Sequence, residues 1–225
     1  MNKIITTTIA GFVTLMLILA ICLFLPAQSL NFWRAWVYLG VWAGCVIPIT
    51  VYLFRHDLKL LASRLSVGPT AETDKRQKII QSLAGLFFIA LFIVPGLDFR
   101  LHWSNVPAAI TIISDAIVAL GFWIVFLVFK ENTYTSAVIE VAEEQKVISS
   151  GPYRLVRHPM YAGALLLLLF TPLALGSLVA VPFVLPMILI IAVRLVNEEK
   201  FLRENLKGYS AYCRQVRYHL LPFVW

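Results

Sequence analysis

The sequence predicts an all-α, polytopic membrane protein of about six crossings, ending in a helical hairpin and a basic, aromatic tail. Three observations carry that prediction. The 225 residues are 60% hydrophobic and only 14% charged, with a mean hydropathy of +0.83. A water-soluble domain of that length lacks the polar side chains to cover its exterior. The apolar residues fall in runs long enough to cross a bilayer, and the basic residues fall between those runs, in alternate connections.

A crossing needs about 20 apolar residues, because the hydrocarbon core is ~30 Å thick and a helix rises ~1.5 Å per residue. Four stretches qualify directly: 4–25, 34–54, 79–97 and 107–129. The first, Lys3 followed by Ile4 to Leu25, has the outline of a signal peptide. Its apolar run exceeds the ~7–15 residues of a signal core, and Ala27-Gln28-Ser29 is a weak cleavage site, so it reads as an uncleaved helix. The fifth block, 159–196, contains Pro172, Gly176-Ser177, Pro182 and Pro186. It reads as a hairpin of helices near 160–175 and 178–196, reversed at Gly-Ser, where glycine accepts positive φ and serine bonds nearby backbone. The competing reading is one long tilted helix and five crossings. Prolines at membrane depth are tolerated where neighbours satisfy the freed carbonyls.

Charge asymmetry gives the orientation. Arg55, Lys59, Arg64, Lys75, Arg76 and Lys78 lie in 55–78; Lys130, Lys146, Arg154 and Arg157 lie in 130–158; Lys200, Arg203, Lys207, Arg214 and Arg217 lie in the tail. The 26–33 connection has none, and 98–106 has only Arg100. With six crossings the three basic segments share one side, expected to be the cytoplasm, together with both termini. Trp33, Trp36, Trp103 and Trp225 suit the membrane interfaces. The net charge of +7 therefore reads as a topology signal and a contact for anionic head groups, not as a nucleic-acid surface. Cys22, Cys45 and Cys213 are far apart, and neither a disulfide framework nor a thiolate metal site is expected. No repeat or linker divides the chain. It reads as one domain over 1–225, with a four-helix part at 1–130 and the chemistry at 131–225.

Asp115, inside the fourth helix, is a carboxylate at membrane depth and so a functional candidate by default. Ser114 and Thr111 lie close enough in sequence to satisfy it, which favours a structural role. The C-terminal third is richer. Gly151-Pro152 marks a turn, and Pro159 suits the first turn of the next helix, where its missing N–H costs nothing. His158 would stand at that helix start beside Arg157, and free N–H groups with positive charge favour an anionic group there. Anchoring of Arg154, Arg157 and His158 to lipid head groups explains the charge, but not Tyr153 and Tyr161 bracketing the run. At the far end of the hairpin, Arg194 and Glu198 are four apart and share a face. Glu198 and Glu199 place negative charge at a helix C-terminus, which is unfavourable without a cation nearby. Arg157, Arg194, Lys200 or a cationic ligand could supply it. In the tail, Tyr209, Tyr212, Tyr218, Phe223 and Trp225 alternate with basic residues. They suit either an interfacial helix or an aromatic lid for a cation or an adenine ring.

The run Gly-Pro-Tyr-Arg-Leu-Val-Arg-His-Pro-Met-Tyr-Ala-Gly at 151–163 resembles the signature of the isoprenylcysteine carboxyl methyltransferase family, relatives of the membrane phospholipid methyltransferases. An apolar hairpin, Glu198-Glu199, Gly208-Tyr209, Tyr212 and Leu221-Pro222 follow in the family's order, so the resemblance covers about 130–225. It implies an S-adenosylmethionine-dependent membrane methyltransferase with a cytosolic cofactor pocket and a lipophilic small-molecule or lipid-anchored acceptor. Carried over by position, Gln145, Lys146, Val147, Ile148, Tyr153, Arg157, His158, Pro159, Met160, Tyr161, Glu198 and Glu199 would hold the cofactor. Arg194, Glu198 and Glu199 would serve the reaction, with Arg194 toward the acceptor's polar group. The family often has histidine where this chain has Gln145. The compact form resembles prokaryotic members, which implies a bacterial inner membrane. Sterol-type reductases that use NADPH share a similar His-Pro-x-Tyr corner and tyrosine-rich tail and form the alternative. A transporter would need paired ionisable or broken-helix features at mid-depth, which this sequence lacks apart from Asp115 and the hairpin prolines.

Overall fold

The computed structural model describes residues 2–65, 75–135 and 145–225, and among them all regular structure is helical. The helices are α1 (Asn2–Ala27), α2 (Trp33–His56), α3 (Leu58–Leu65), α4 (Lys75–Leu101), α5 (Ala108–Glu131), α6 (Pro159–Ala174), α7 (Val184–Asn205) and α8 (Tyr209–Gln215). Five are long and apolar enough to cross a membrane, and α6, with 16 residues, is the shorter sixth. At ~1.5 Å per residue α6 covers about 24 Å, so it crosses only where the protein or bilayer is locally thin. The chain is an integral membrane protein by this pattern. Isoleucines and leucines such as Ile9, Leu17 and Ile21 stay exposed on α1, as expected where lipid is the solvent. Short α3 was not among the sequence expectations. It lies in the basic 55–78 connection, where the side chains of Lys75, Arg76 and Lys78 fall outside the described residues.

The hairpin forms, and its reversal falls at the expected pair. Gly176 has φ +75, a left-handed conformation that glycine adopts without a Cβ penalty. The Ser177 hydroxyl accepts the Ala180 N–H at 3.1 Å and donates to Asp98 Oδ2 at 2.5 Å. The second helix starts later than residue 178, because a short turn at Val181–Phe183 precedes it and Pro182 stands in that turn.

Asp98, at the end of α4, is buried and also accepts the Ser104 backbone N–H at 2.7 Å and the Ser104 hydroxyl at 2.6 Å. Arg34 donates to the Val106 carbonyl at 2.6 Å. These bonds gather the 102–107 connection, the start of α2 and the hairpin turn at one end of the bundle. The 151–158 corner and the end of α7 therefore lie at the opposite end.

Helices α5 and α6 pack most closely, and two glycines explain why. A Cβ on Gly163 would stand 2.9 Å from the Gly121 carbonyl oxygen, and one on Gly121 the same distance from the Gly163 carbonyl. Small residues at a membrane helix crossing let the backbones approach. Gly163→Ala is expected to lower the unfolding temperature in detergent by several degrees, since overpacking costs ~1–3 kcal/mol. At Gly85 a Cβ would meet nothing within 4 Å, so Gly85→Ala should leave it unchanged or raised. Equal shifts for the two variants would count against the close crossing.

Candidate functional site

The loop before α6 is held from both sides. Gly151 opens a one-turn 3-10 helix, Gly151–Arg154, with φ +55, and a Cβ there would strike the Glu131 carboxylate. Tyr153 accepts an N–H from the Asn132 side chain at 2.9 Å. Burial pushes its phenol up to about 12, so it remains neutral. His158 is the N-cap of α6 and Pro159 its first residue, as the sequence predicted. The backbone N–H groups of Arg157 and His158 donate to the carbonyls of Tyr218 and His219, both at 2.9 Å. The C-terminal tail is thus pinned along the corner.

Arg157 is the centre of that pin. Its Nε donates to Glu199 Oε1 at 2.6 Å, and Nη1 donates to the Val216 and Cys213 carbonyls at 3.1 and 3.4 Å. Nη2 donates to Glu199 Oε2 at 3.5 Å and to His219 Nε2. All five N–H donors of the guanidinium are engaged within the protein. Burial pushes the His219 imidazole down, consistent with a neutral ring accepting from Arg157. Trp225 stacks on that ring with centroids 4.8 Å apart.

The adjacent glutamates divide. Glu199 is buried and faces the pin, where it also accepts from His158 Nε2 and Arg203 Nη2, each at 3.2 Å. Because α7 runs on to Asn205, neither glutamate ends the helix as the sequence suggested, and the charge of Glu199 is met by Arg157, His158 and Arg203 instead. Glu198 faces an open cavity of about 260 Å³. The Tyr161 hydroxyl donates to Glu198 Oε2 at 2.5 Å and accepts from Arg194 Nε at 3.2 Å. Arg194, Tyr161 and Glu198 form a chain along one wall.

The cavity brings together almost every sequence-predicted residue. Gln145, Lys146, Val147 and Ile148 line one side outside any helix, and Tyr153 and Arg157 to Tyr161 line the corner, with Arg194 and Glu198 on α7. Glu199 does not line it, because its carboxylate turns one helix position away to meet Arg157. Of the five tail aromatics, Tyr209 and Tyr212 reach the cavity, whereas Phe223 is 88% exposed and Trp225 covers His219. Burial raises both Tyr209 and Tyr212. Tyr212 donates to the Tyr153 carbonyl at 2.8 Å, while the buried Tyr209 hydroxyl has no hydrogen-bond partner among the described residues. Asp115 is buried away from the cavity, and the expectation that Ser114 and Thr111 would satisfy it fails. Thr111 turns to the Leu173 carbonyl at 3.4 Å, and both carboxylate oxygens of Asp115 lack a partner.

Residues 109–208 match the phospholipid methyltransferase family. The matched segment runs from α5 through the corner and α7 to Gly208, and it contains every residue predicted for the site. The match falls in an integral membrane protein and agrees with the resemblance of the 151–163 run. The NADPH-dependent reductase gains no support from it. The comparison with curated proteins gives no match.

Two cavity features lie outside the phospholipid methyltransferase match. One is the Tyr209/Tyr212 pair on α8, for which the alternation of tyrosines in the tail was the sequence signal. The other, Arg64 on α3, was read only as a topology charge. Its signal was present: it falls three and four residues after Leu61 and Leu60, hence on the buried face of α3. Burial pushes the Arg64 guanidinium down to about 10, so it still carries its charge at neutral pH.

Proposed function

We propose that this protein is an S-adenosylmethionine-dependent methyltransferase that acts from the cytosolic side of a bacterial inner membrane on a lipophilic acceptor. A carboxylate of a prenylcysteine-like or other lipid-like molecule suits the site best. The observation that carries the reading is the cavity walled by Glu198, Tyr161 and Arg194, inside the methyltransferase-matched segment. Its donor set fits the cofactor. Glu198 offers a carboxylate to an amino group or ribose, the 145–148 backbone and Lys146 offer polar edges, and Tyr209 presents a buried hydroxyl that needs a partner. Aromatic faces of Tyr209 and Tyr212 suit a cation.

When bound, S-adenosylmethionine supplies an electrophilic methyl group on a positively charged sulfur. The protein's task is to bind, orient and exclude water. A carboxylate acceptor needs no general base, and Arg194 is positioned to hold its charge through the wall it shares with Tyr161. An amine acceptor would have to lose a proton, and Glu198 is the carboxylate within the cavity that could take it. The domain division into 1–130 and 131–225 follows the same reading, with the N-terminal helices serving acceptor and bilayer.

The test is direct. Purified protein in neutral detergent should bind S-adenosylmethionine in calorimetry and show no thermal shift with NADPH. Lipid extracts of cells overexpressing it on labelled methionine should gain a labelled species. Binding of NADPH in place of S-adenosylmethionine would overturn the proposal.

A further inference from the structure

Among the described residues Arg64 has no carboxylate hydrogen-bonded to it. Its Nη2 meets only the Met160 sulfur at 3.9 Å, its guanidinium carbon lies 4.9 Å over the Phe129 ring, and its Nε is buried without an acceptor. It nevertheless lines the same cavity as Arg194 and Tyr161. A cation over an aromatic ring is partly compensated, but a buried N–H with nothing to donate to costs free energy that a ligand acceptor would recover. Arg157, by contrast, has every donor engaged, and Arg34, whose Nε is likewise without an acceptor, lies at the other end of the bundle. Arg64 is thus a cation of the cavity wall whose geometry leaves room for an anion.

A second observation points the same way. On the α2–α5 seam an apolar groove of about 220 Å³ is lined by Gly44, Pro48, Ala119, Phe122, Trp123 and Phe126. Phe126 meets Tyr52 edge-on with centroids 5.0 Å apart. Phe129, the platform under Arg64, lies one turn further along α5, about 4.5 Å at the helical rise. The groove and the Arg64 position thus follow one another along α5, the first apolar and the second cationic, with Phe129 and Tyr52 packed between them. That is the charge and polarity order of a single-chain lipid with an anionic head.

We propose that Arg64 anchors the anionic head group of the acceptor lipid, a carboxylate or a phosphate, while its chain lies in the α2–α5 groove. The proposal rests on the methyltransferase reading for the word acceptor, but the anion site stands on its own contacts. Arg64 acts as a positioning residue, holding the head group near the wall formed by Arg194, Tyr161 and Glu198. It lies outside the family-matched segment, so it would set which lipids this chain accepts rather than the chemistry it performs.

Calorimetry in dodecyl maltoside tests this with dodecyl phosphate, dodecanoate, dodecanol and inorganic phosphate as probes. Wild-type protein should bind dodecyl phosphate or dodecanoate at least tenfold more tightly than dodecanol or inorganic phosphate. Arg64→Gln should abolish that preference and leave S-adenosylmethionine affinity unchanged, and Arg64→Lys should restore part of it. Ala119→Phe, which fills the groove, should weaken the chain-bearing anions only. Loss of S-adenosylmethionine binding in Arg64→Gln would assign the arginine to the cofactor and overturn the proposal, as would an unchanged anion preference. If Arg64→Gln fails to fold, the wild-type preference and the Ala119→Phe effect decide. Anion binding without any S-adenosylmethionine binding would uphold the anion site and defeat the methyltransferase reading instead.

Discussion

Glu199→Ala is expected to destabilise the C-terminal part of the protein by about 3–5 kcal/mol, the cost of removing one partner from a buried charge pair. Glu199 is 6% exposed, and its two oxygens accept from Arg157, His158 and Arg203. Without them Arg157 would keep its carbonyl bonds to Cys213 and Val216 but lose its counter-charge, and His158 would lose its Nε2 partner. The corner, the end of α7 and the tail would then separate more readily, because ion pairs from Arg157, His158, Arg203 and His219 meet at this one carboxylate. Limited proteolysis after residue 205 should become faster by at least tenfold, and thermal unfolding in detergent should begin earlier. The double variant Glu199→Ala/Arg157→Met should recover part of the loss, since removing both charges is far cheaper than stranding one. A Glu199→Ala protein with unchanged unfolding and proteolysis would show that the ion cluster is not what holds the tail.

How legible this was in the sequence differed from residue to residue. Periodic charge and hydropathy suffice for α1, α2, α4 and α5, because a membrane span is a statement about one segment and its solvent. The hairpin was legible from Gly176-Ser177, since a positive φ between two apolar runs leaves few alternatives. The corner was legible because Gly-Pro and His-Pro constrain the backbone locally. Glu198 and Glu199 could not be told apart, because adjacent positions on a helix differ by about 100° of rotation and only the packing of the tail decides which one it covers. Arg157 was legible as a candidate counter-charge to the glutamate pair, and it is one, but its hold on the tail was not, because Cys213, Val216 and His219 are more than 50 residues away. Asp98 was overlooked because its partners, Ser104 and Ser177, become neighbours only when α4 and the hairpin turn meet. Arg64 shows the opposite failure. Its local pattern was visible, but every basic residue in a connection serves equally well as a topology charge.

The separation of the two glutamates makes the second large effect specific. Glu198→Gln is expected to lower affinity for S-adenosylmethionine by about 10–100-fold, because a charge-assisted hydrogen bond contributes about 1.5–3 kcal/mol and each 1.4 kcal/mol is tenfold. Unfolding should stay at its wild-type temperature. The side chain of Glu198 is 28% exposed against 8% for Glu199, and its Oε1 comes no closer than 3.9 Å to His158 Nδ1, so little of the protein's own structure depends on its charge. Tyr161→Phe probes the same wall from its middle. It removes the donor to Glu198 and the acceptor of Arg194 together, leaving the carboxylate charged but free to rotate. Its affinity loss should therefore be smaller than that of Glu198→Gln, while methyl transfer falls more than binding, since orientation and not charge is what the hydroxyl supplies. Calorimetric affinity and single-turnover rate, measured on both variants, separate these outcomes. Equal affinity in wild type and Glu198→Gln would mean that the carboxylate facing the cavity does not meet the cofactor, and the assignment of this wall would have to be abandoned.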